Sequence, residues 1–324
     1  MNWVGRTAVV TGGLGFVGSH FVQQLLARGA EVICLHRTER PEVIAELGHT
    51  ARLRLIQLDL LDESELRAAC RYAARRVDAV VHCAALDGNA EFKRRHSARI
   101  LDENMRIASN VLGAARRQQV DHVVLMSSAE VYAPAAPDPV AEEDDFRRHA
   151  HFTENGYALS KMFTEILADL HRKQFGMTIH VPRPTNVYGP RDSGGRVIPA
   201  MLHRLAAGEE VVIWGDGRQT RSFVHVEDLV RTTLAMIATS RHPTVNVGGA
   251  ESVSIVDLAR RLAALLGRPE RIRLDLDKPA GPSGRRLDLR RMNEIIDFTP
   301  RPLRDGLADT VAWFLTAQRG RAAA

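Results

Sequence analysis

Directly behind the apolar run Thr7–Val10 the chain carries Thr11-Gly12-Gly13-Leu14-Gly15-Phe16-Val17-Gly18-Ser19. Gly13, Gly15 and Gly18 satisfy G-x-G-x-x-G, and Gly12, Gly15 and Gly18 satisfy the G-x-x-G-x-x-G variant. Glycines so placed let a strand turn tightly, bring backbone N–H groups against a pyrophosphate and let the next helix pack close on the strand. A glycine-rich loop alone says little. Here it ends a strand and opens a helix at the start of the chain, the context a dinucleotide-binding unit requires. Gly12, Gly15, Phe16, Val17 and Gly18 are therefore candidate cofactor contacts.

The first 180 or so residues alternate β-branched runs with helical patterns. Thr7–Val10, Glu31–Leu35, Leu53–Leu58, Ala79–Val81, His122–Met126 and Thr178–Val181 read as strands, with helices over Phe16–Ala27, Glu63–Ala74, Ile100–Gln118 and Ala158–Gln174. Such alternation predicts a doubly wound, Rossmann-type parallel sheet with helices on both faces. After Val181, Pro and Gly punctuate the chain more often. Val211–Trp214, Phe223–Val226 and Val245–Val247 read as short strands, and Ile255–Leu266 and Gly306–Ala317 as amphipathic helices. We expect an α/β fold with a cofactor-binding domain over 1–181 and a smaller C-terminal α/β substrate lobe over 182–324, the segment 223–248 packing back near the first domain.

The end of the second strand tests the cofactor. An Asp or Glu there would accept the ribose 2′-OH of NAD; this chain has Leu35-His36-Arg37-Thr38. Arg37 can pair with a 2′-phosphate, which favours NADP over NAD. At the third strand end Asp59-Leu60 can meet the adenine amino group. At the fourth, Ala84 and Ala85 let backbone pass close to the cofactor, while His82 reads as a core histidine.

Tyr157-Ala158-Leu159-Ser160-Lys161 supplies the second signal. Residues four apart share a helix face, so Tyr157 and Lys161 should meet in one cleft, where an ammonium would lower the phenol's pKa toward neutrality and make it a usable acid–base. Lysine occurs at four positions only, Lys93, Lys161, Lys173 and Lys278, which counts against a chance Y-x-x-x-K. Ser127-Ser128 lies upstream at a matching strand end.

The turn at Thr11–Gly18, Ser128, Tyr157-x-x-x-Lys161 and Arg183-Pro184-Thr185-Asn186-Val187-Tyr188-Gly189-Pro190 together resemble an extended short-chain dehydrogenase/reductase, and more narrowly the NAD(P)-dependent nucleotide-sugar epimerase/dehydratase group, over nearly the whole chain. The resemblance implies that Tyr157 exchanges a proton with the sugar 4-hydroxyl while hydride moves at C4. Ser128 would bond the same oxygen and Lys161 the nicotinamide ribose. It places Asn104 and Pro184 on the cofactor side. It places Asn186 against the nucleotide-sugar, and Arg221 with Arg285 or Arg286 on the substrate diphosphate. It implies a homodimer through Ile100–Gln118 and Ala158–Gln174.

Glu130, two residues after Ser128, bears on the reaction. The group's dehydratases and decarboxylases carry a glutamate here that can take a proton from C5, and some 4-keto reductases carry one too. A salt-bridged structural acid is the other reading. Segments Arg183–Asp192 and Lys278–Asp288 look most like the GDP-fucose synthase branch, whose catalytic Cys and His are Glu130 and Arg196 here, against its combined epimerase and reductase activity. The leading expectation is internal redox at C4 of a nucleotide-diphospho-sugar, as in a C4-epimerase or 4,6-dehydratase. The alternative is an NADPH-dependent 4-keto-sugar reductase. A non-catalytic cofactor-binding regulator is disfavoured by the Tyr–Lys pair.

Charge agrees with a phosphorylated small substrate. The net charge is +5, with 44 Lys and Arg against 39 Asp and Glu, and no long basic block suggests nucleic acid. Cys34, Cys70 and Cys83 lack metal-ligand spacing and read as buried apolar groups; no metal is expected. Without a signal peptide or an apolar stretch of about 18 residues, no membrane contact and a cytoplasmic location are expected.

Overall fold

The computed structural model describes residues 1–71, 76–149, 153–192, 195–278, 280 and 284–323. In chain order the first half runs β1 Thr7–Thr11, α1 Phe16–Ala27, β2 Glu31–His36, α2 Pro41–Leu47, β3 Leu53–Gln57, α3 Glu63–Arg71, β4 Ala79–His82, α4 Ala90–Arg95, α5 Ser97–Arg117, β5 His122–Leu125, α6 Gly156–Phe175 and β6 Ile179–Pro184. The second half adds β7 Asn186–Tyr188, α7 Val197–Ala206, β8 Val211–Trp214, β9 Thr220–His225, α8 Val226–Thr239, β10 Thr244–Val247, β11 Ser252–Ser254, α9 Ile255–Leu266, β12 Ile272–Asp275, α10 Arg290–Ile295 and α11 Leu303–Ala323. The Cys70 side chain, the end of the helix expected over Glu63–Ala74 and parts of Lys278–Asp288 lie outside the described residues.

Seven strands form one parallel sheet in the order β10-β6-β5-β4-β1-β2-β3. All four β4 residues are buried, as a parallel strand covered on both faces requires. One face is covered by α1, α2, α8 and α10, through Phe21, Leu25, Val43, Leu229, Ile237 and Met292. The other is covered by α3, α5 and α6, through Leu66, Ile107, Val111, Leu112 and Ala168. Strand order reverses between β1 and β4, so a crevice opens at their carboxyl ends, where open α/β sheets bind ligands.

The chain crosses back to this sheet late. Strand β10 pairs with β6, Thr244 opposite Val181 and Val247 opposite Pro184, and α8 joins the same core as α1. A second core gathers β7, β8, β9, β11, α7, α9 and α11 around Tyr188, Leu202, Phe223, Leu258 and Leu307. Its strands form a three-stranded sheet β11-β9-β7 and a pair β12-β8.

A buried ionic cluster fixes the segment leading into this second core. Arg183 is 1% exposed. Its guanidinium bonds Glu165 (Nε–Oε1 2.9 Å), Asp145 (2.7 Å), the Tyr132 hydroxyl (2.9 Å) and the Glu142 carbonyl (2.9 Å). Every donor finds an acceptor, which offsets the large cost of taking the charge out of water. Ser127, next to the predicted Ser128, donates to Glu165 at 2.5 Å.

Candidate active site

At the crevice, Gly12 adopts a left-handed φ of +64°, a conformation that a side chain disfavours. A Cβ there would lie 2.9 Å from the Ala84 Cα. The two backbones, one after β1 and one after β4, thus approach as only a glycine permits. A Cβ on Gly18 would run into the Gly12 carbonyl oxygen. The Gly15 amide donates to that carbonyl at 2.8 Å, closing the turn. Gly15 is the N-cap of α1 and no side chain caps the helix, so the first-turn amides of Phe16 and Val17 point into the crevice without an intrahelical partner. The turn has the shape and free donors that a dinucleotide pyrophosphate would need, so the residues present fit one.

The rest of the cofactor side is mixed. Ala84 is held by its amide on Thr11 Oγ1 at 3.3 Å, and His82 is buried with Nδ1 2.7 Å from the same hydroxyl. Burial lowers the His82 pKa to about 3, the neutral core histidine expected. Ala85 is exposed. Asp59 caps the Leu61 amide at 3.0 Å, and buried Leu60 gives its carbonyl to Asn110 at 2.9 Å. Arg37 is exposed just beyond β2. Pro184 ends β6 at the crevice. Asn104 does not offer a free amide: Oδ1 accepts from the Leu86 amide (2.7 Å), and Nδ2 donates to the Leu86 carbonyl (3.0 Å) and Ser160 (3.3 Å). It holds the loop after β4 in place.

Helix α6 brings Tyr157 and Lys161 together, starting from an Asn155 side-chain cap on the Tyr157 and Ala158 amides. Lys161 is buried and donates from Nζ to the Met126 carbonyl at 2.6 Å. Burial lowers its pKa to about 8, against the pull of Asp87 and Cys83. Ser128 caps the short turn Ala129–Val131 and hydrogen-bonds Tyr157. The expected downward shift of the phenol does not occur. Burial first, then Asp87 and Glu130, raise Tyr157 well above its ordinary value, outweighing Arg196 and the Ser128 hydrogen bond. The helical spacing foresaw the ammonium but not the two carboxylates.

Those carboxylates belong to a chain of charges that the motif reading missed. Glu130 bonds Lys93 Nζ through Oε1 at 2.7 Å and Asn155 Nδ2 through Oε2 at 2.7 Å. Lys93 continues to Asp87 at 3.3 Å, Asp87 to Arg196 at 3.4 Å, and Arg196 to Asp192 at 2.8 Å. Lys93 Nζ stands 3.9 Å over the Tyr157 ring centroid. Glu130 is thus an engaged carboxylate. The rarity of lysine was the one sequence signal for Lys93.

On the substrate side, Arg221 lies on β9 and donates to the Thr220 carbonyl at 2.8 Å, with burial lowering its pKa. Arg285 and Arg286 separate. Arg285 keeps Nη1 buried with no hydrogen-bond partner among the described residues. Arg286 has a side chain 63% exposed and pairs with Asp138. An orphaned buried guanidinium N–H asks for an acceptor from a ligand. Asn186, exposed on β7, donates to the Ser222 carbonyl at 2.9 Å. Among the described residues no group of His, Cys, Asp and Glu could hold a metal ion, and no helix is long and apolar enough to cross a membrane.

Comparison with known proteins agrees with this geometry. The chain is 57% identical over 317 residues, 97% of its length and 97% of the relative's, to a dTDP-4-dehydro-6-deoxy-D-allose reductase of Streptomyces bikiniensis. It is 57% identical over 322 residues, 98% of this chain and 99% of the relative, to a reductase of the same name from a Streptomyces species. Among solved structures, the dTDP-glucose 4,6-dehydratase of Streptomyces venezuelae with NAD bound superposes with a TM-score of 0.86 at 27% identity, covering 97% of this chain and 98% of that one. The family model described as NAD dependent epimerase/dehydratase matches residues 8–248. A dinucleotide cradle at the sheet's switch point and a Ser–Tyr–Lys set beside it are what such enzymes need, and the chain belongs to the NAD-dependent epimerase/dehydratase family.

Proposed function

We propose that this enzyme is a nucleotide 4-keto-sugar reductase, acting on a dTDP-4-dehydro-6-deoxyhexose with NADPH as the preferred reductant. The observation that carries the reading is the 57% identity, across essentially the whole length, to two reductases of that substrate class. It favours the reductase over the internal redox that led the sequence-based expectation. The site geometry supports the same choice. A dehydratase needs a carboxylate to remove the C5 proton, and both Glu130 oxygens are engaged. A reductase needs a neutral acid at the C4 oxygen, and Tyr157 is held protonated.

A nicotinamide dinucleotide held at the Gly12–Gly18 turn would supply the hydride for C4. Tyr157, aligned by its bond to Ser128, gives its proton to the oxygen that becomes the alcohol. Lys161, fixed on the Met126 carbonyl, places a positive charge beside the phenolate that remains. Arg285, with Arg221, Asn186 and Ser128, forms the substrate side; the Gly12–Gly18 turn, Ala84 and Arg37 form the cofactor side. We assign the assembly as a homodimer through α5 and α6. On α6, Ile166 and Leu170, four residues apart and so on one face, are exposed.

The test is direct. The purified protein, a dTDP-4-dehydro-6-deoxyhexose and NADPH are mixed, and nicotinamide absorbance and the product alcohol are followed. Stoichiometric oxidation of NADPH is expected. Conversion of a saturated 4-hydroxy sugar to its epimer, with no net consumption of reductant, would instead return the reading to internal redox.

A further inference from the structure

Glu130 and Lys93 together raise a question of selectivity. A 4-keto sugar has acidic hydrogens at C3 and C5. A free carboxylate near the Tyr157 and Ser128 hydroxyls could take one as a proton. The C–H electron pair would enter the carbonyl to form an enolate, whose oxygen those hydroxyls would stabilise. The carboxylic acid could then return a solvent-exchanged proton. Glu130 is close enough to this centre to raise the Tyr157 pKa, and its amide donates to Ser128 Oγ at 3.1 Å. Its oxygens point elsewhere: one is on Lys93 and the other on Asn155, both at 2.7 Å. Lys93 is itself fixed, on α4, whose first turn the Asn89 side chain caps at the Phe92 amide (2.8 Å). Asp87 at 3.3 Å and the Tyr157 ring at 3.9 Å hold its ammonium from two further sides.

We propose that Lys93 is a positioning residue that holds the Glu130 carboxylate on its ammonium and turned from the substrate, so that the site reduces C4 without exchanging the protons at C3 and C5. The proposal rests on the reductase reading. It makes Lys93, rather than the identity of residue 130, the determinant of whether a glutamate here acts as a base. One carboxylate oxygen is held on Lys93 Nζ and the other on Asn155 Nδ2, and removing the ammonium would release the first toward the substrate.

The experiment uses whole protein loaded with oxidised cofactor, so that no reduction intervenes, and a dTDP-4-dehydro-6-deoxyhexose in heavy water. Deuterium entry at C3 and C5 is read by mass spectrometry and NMR. The unmodified protein should exchange at the buffer rate. Lys93→Met should exchange faster by about 10²-fold, the usual contribution of a positioned general base. Lys93→Met combined with Glu130→Gln should return to the buffer rate, and Lys93→Arg, which keeps the ion pair, should stay silent. Circular dichroism reports folding, and Lys93→Gln replaces Lys93→Met should the latter fail to fold. Exchange by the unmodified protein, no exchange in a folded charge-removed variant, or exchange that survives loss of Glu130 would each overturn the proposal. A separate NADPH assay tells this apart from failure of the reductase reading: an unmodified protein that reduces no 4-keto sugar removes both.

Discussion

The Lys161 ammonium lies 5.4 Å from the Tyr157 ring centroid and donates to the Met126 carbonyl at 2.6 Å. The pair is therefore an anchored cation beside a protonated phenol. Burial lowers the Lys161 pKa from 10.5 to about 8, whereas Tyr157 stays protonated far above neutrality. The kcat/KM for ketone reduction should be flat through neutral pH and fall above about pH 8 as Lys161 loses its charge. Stability should move the other way. The unfolded chain holds the extra proton between the two pKa values, so this group's contribution to stability rises with pH across that window. A pH–rate profile alongside thermal melts separates the effects; an undiminished rate well above that window would remove Lys161's charge from the reaction.

Tyr157→Phe deletes the proton donor and little else, because the ring keeps its contacts with Lys93 and Lys161. The rate should fall by about 10²–10⁴-fold with cofactor affinity retained. Near-normal turnover would mean that another group protonates the C4 oxygen.

Gly12→Ala tests the cradle. The methyl group would press on the Ala84 backbone at 2.9 Å and sit at a φ of +64°. Gly267→Ala is the control, since Gly267 has a left-handed backbone at φ +62° but nothing within 4 Å of a built Cβ. Both carry the cost of a positive φ, about 1–2 kcal/mol. Fluorescence titration with NADPH should show at least about tenfold weaker binding for Gly12→Ala, or about 1.4 kcal/mol, and no change for Gly267→Ala. Equal binding by the two variants would place the pyrophosphate elsewhere.

Arg285 and Arg286 are neighbours with opposite surroundings. Arg285 keeps a buried guanidinium N–H that meets no acceptor among the described residues, while Arg286 faces solvent beside Asp138. A charge-assisted bond to a substrate phosphate is worth roughly 1.5–3 kcal/mol, so Arg285→Met should raise KM by about tenfold or more. Arg286→Met should stay within about twofold, the ordinary effect of losing an exposed ion pair. The reverse ranking in steady-state kinetics would exchange their roles.

The sheet was readable because parallel strands are short, β-branched and separated by helices, and Phe16–Ala27, Val211–Trp214 and Ile255–Leu266 match the structure at both ends. Helix α8 went unread because Val226 looked like the end of a strand, and His225 caps the helix in a role that Ser, Thr or Asp more often signals. The motif residues Gly12, Ser128, Tyr157 and Lys161 meet at one crevice because a turn and a helix place them by local geometry. Lys93, Asp87 and Arg196 come from a short helix and two loops, and no periodicity connects them. Arg183, within the stretch that carried the family resemblance, is a buried structural cation, and only its neighbours' carboxylates reveal that.

The proposed preference for NADPH can be tested at the end of β2. Leu35 is followed by His36-Arg37-Thr38, with no acid before Glu39; His36 is buried with Nδ1 unpartnered among the described residues, and Arg37 is exposed with its carbonyl held by Gln57 Nε2 at 3.1 Å. Among the described residues no ion pair occupies the Arg37 guanidinium, so a 2′-phosphate would meet a cation not already neutralised. Exposure screens that attraction, which argues for the lower end of a charge-assisted bond, about 1.4 kcal/mol or tenfold. Arg37→Ala should therefore weaken NADPH binding by about tenfold and NADH binding by less than about twofold. The preference of the unmodified protein for NADPH should also shrink as salt is added, because the charge that reads the phosphate faces water. Titration of both nucleotides into both proteins at low and high salt settles the matter. Equal losses for NADPH and NADH, or a preference indifferent to salt, would mean that Arg37 is an ordinary surface arginine and that selection happens elsewhere along the crevice.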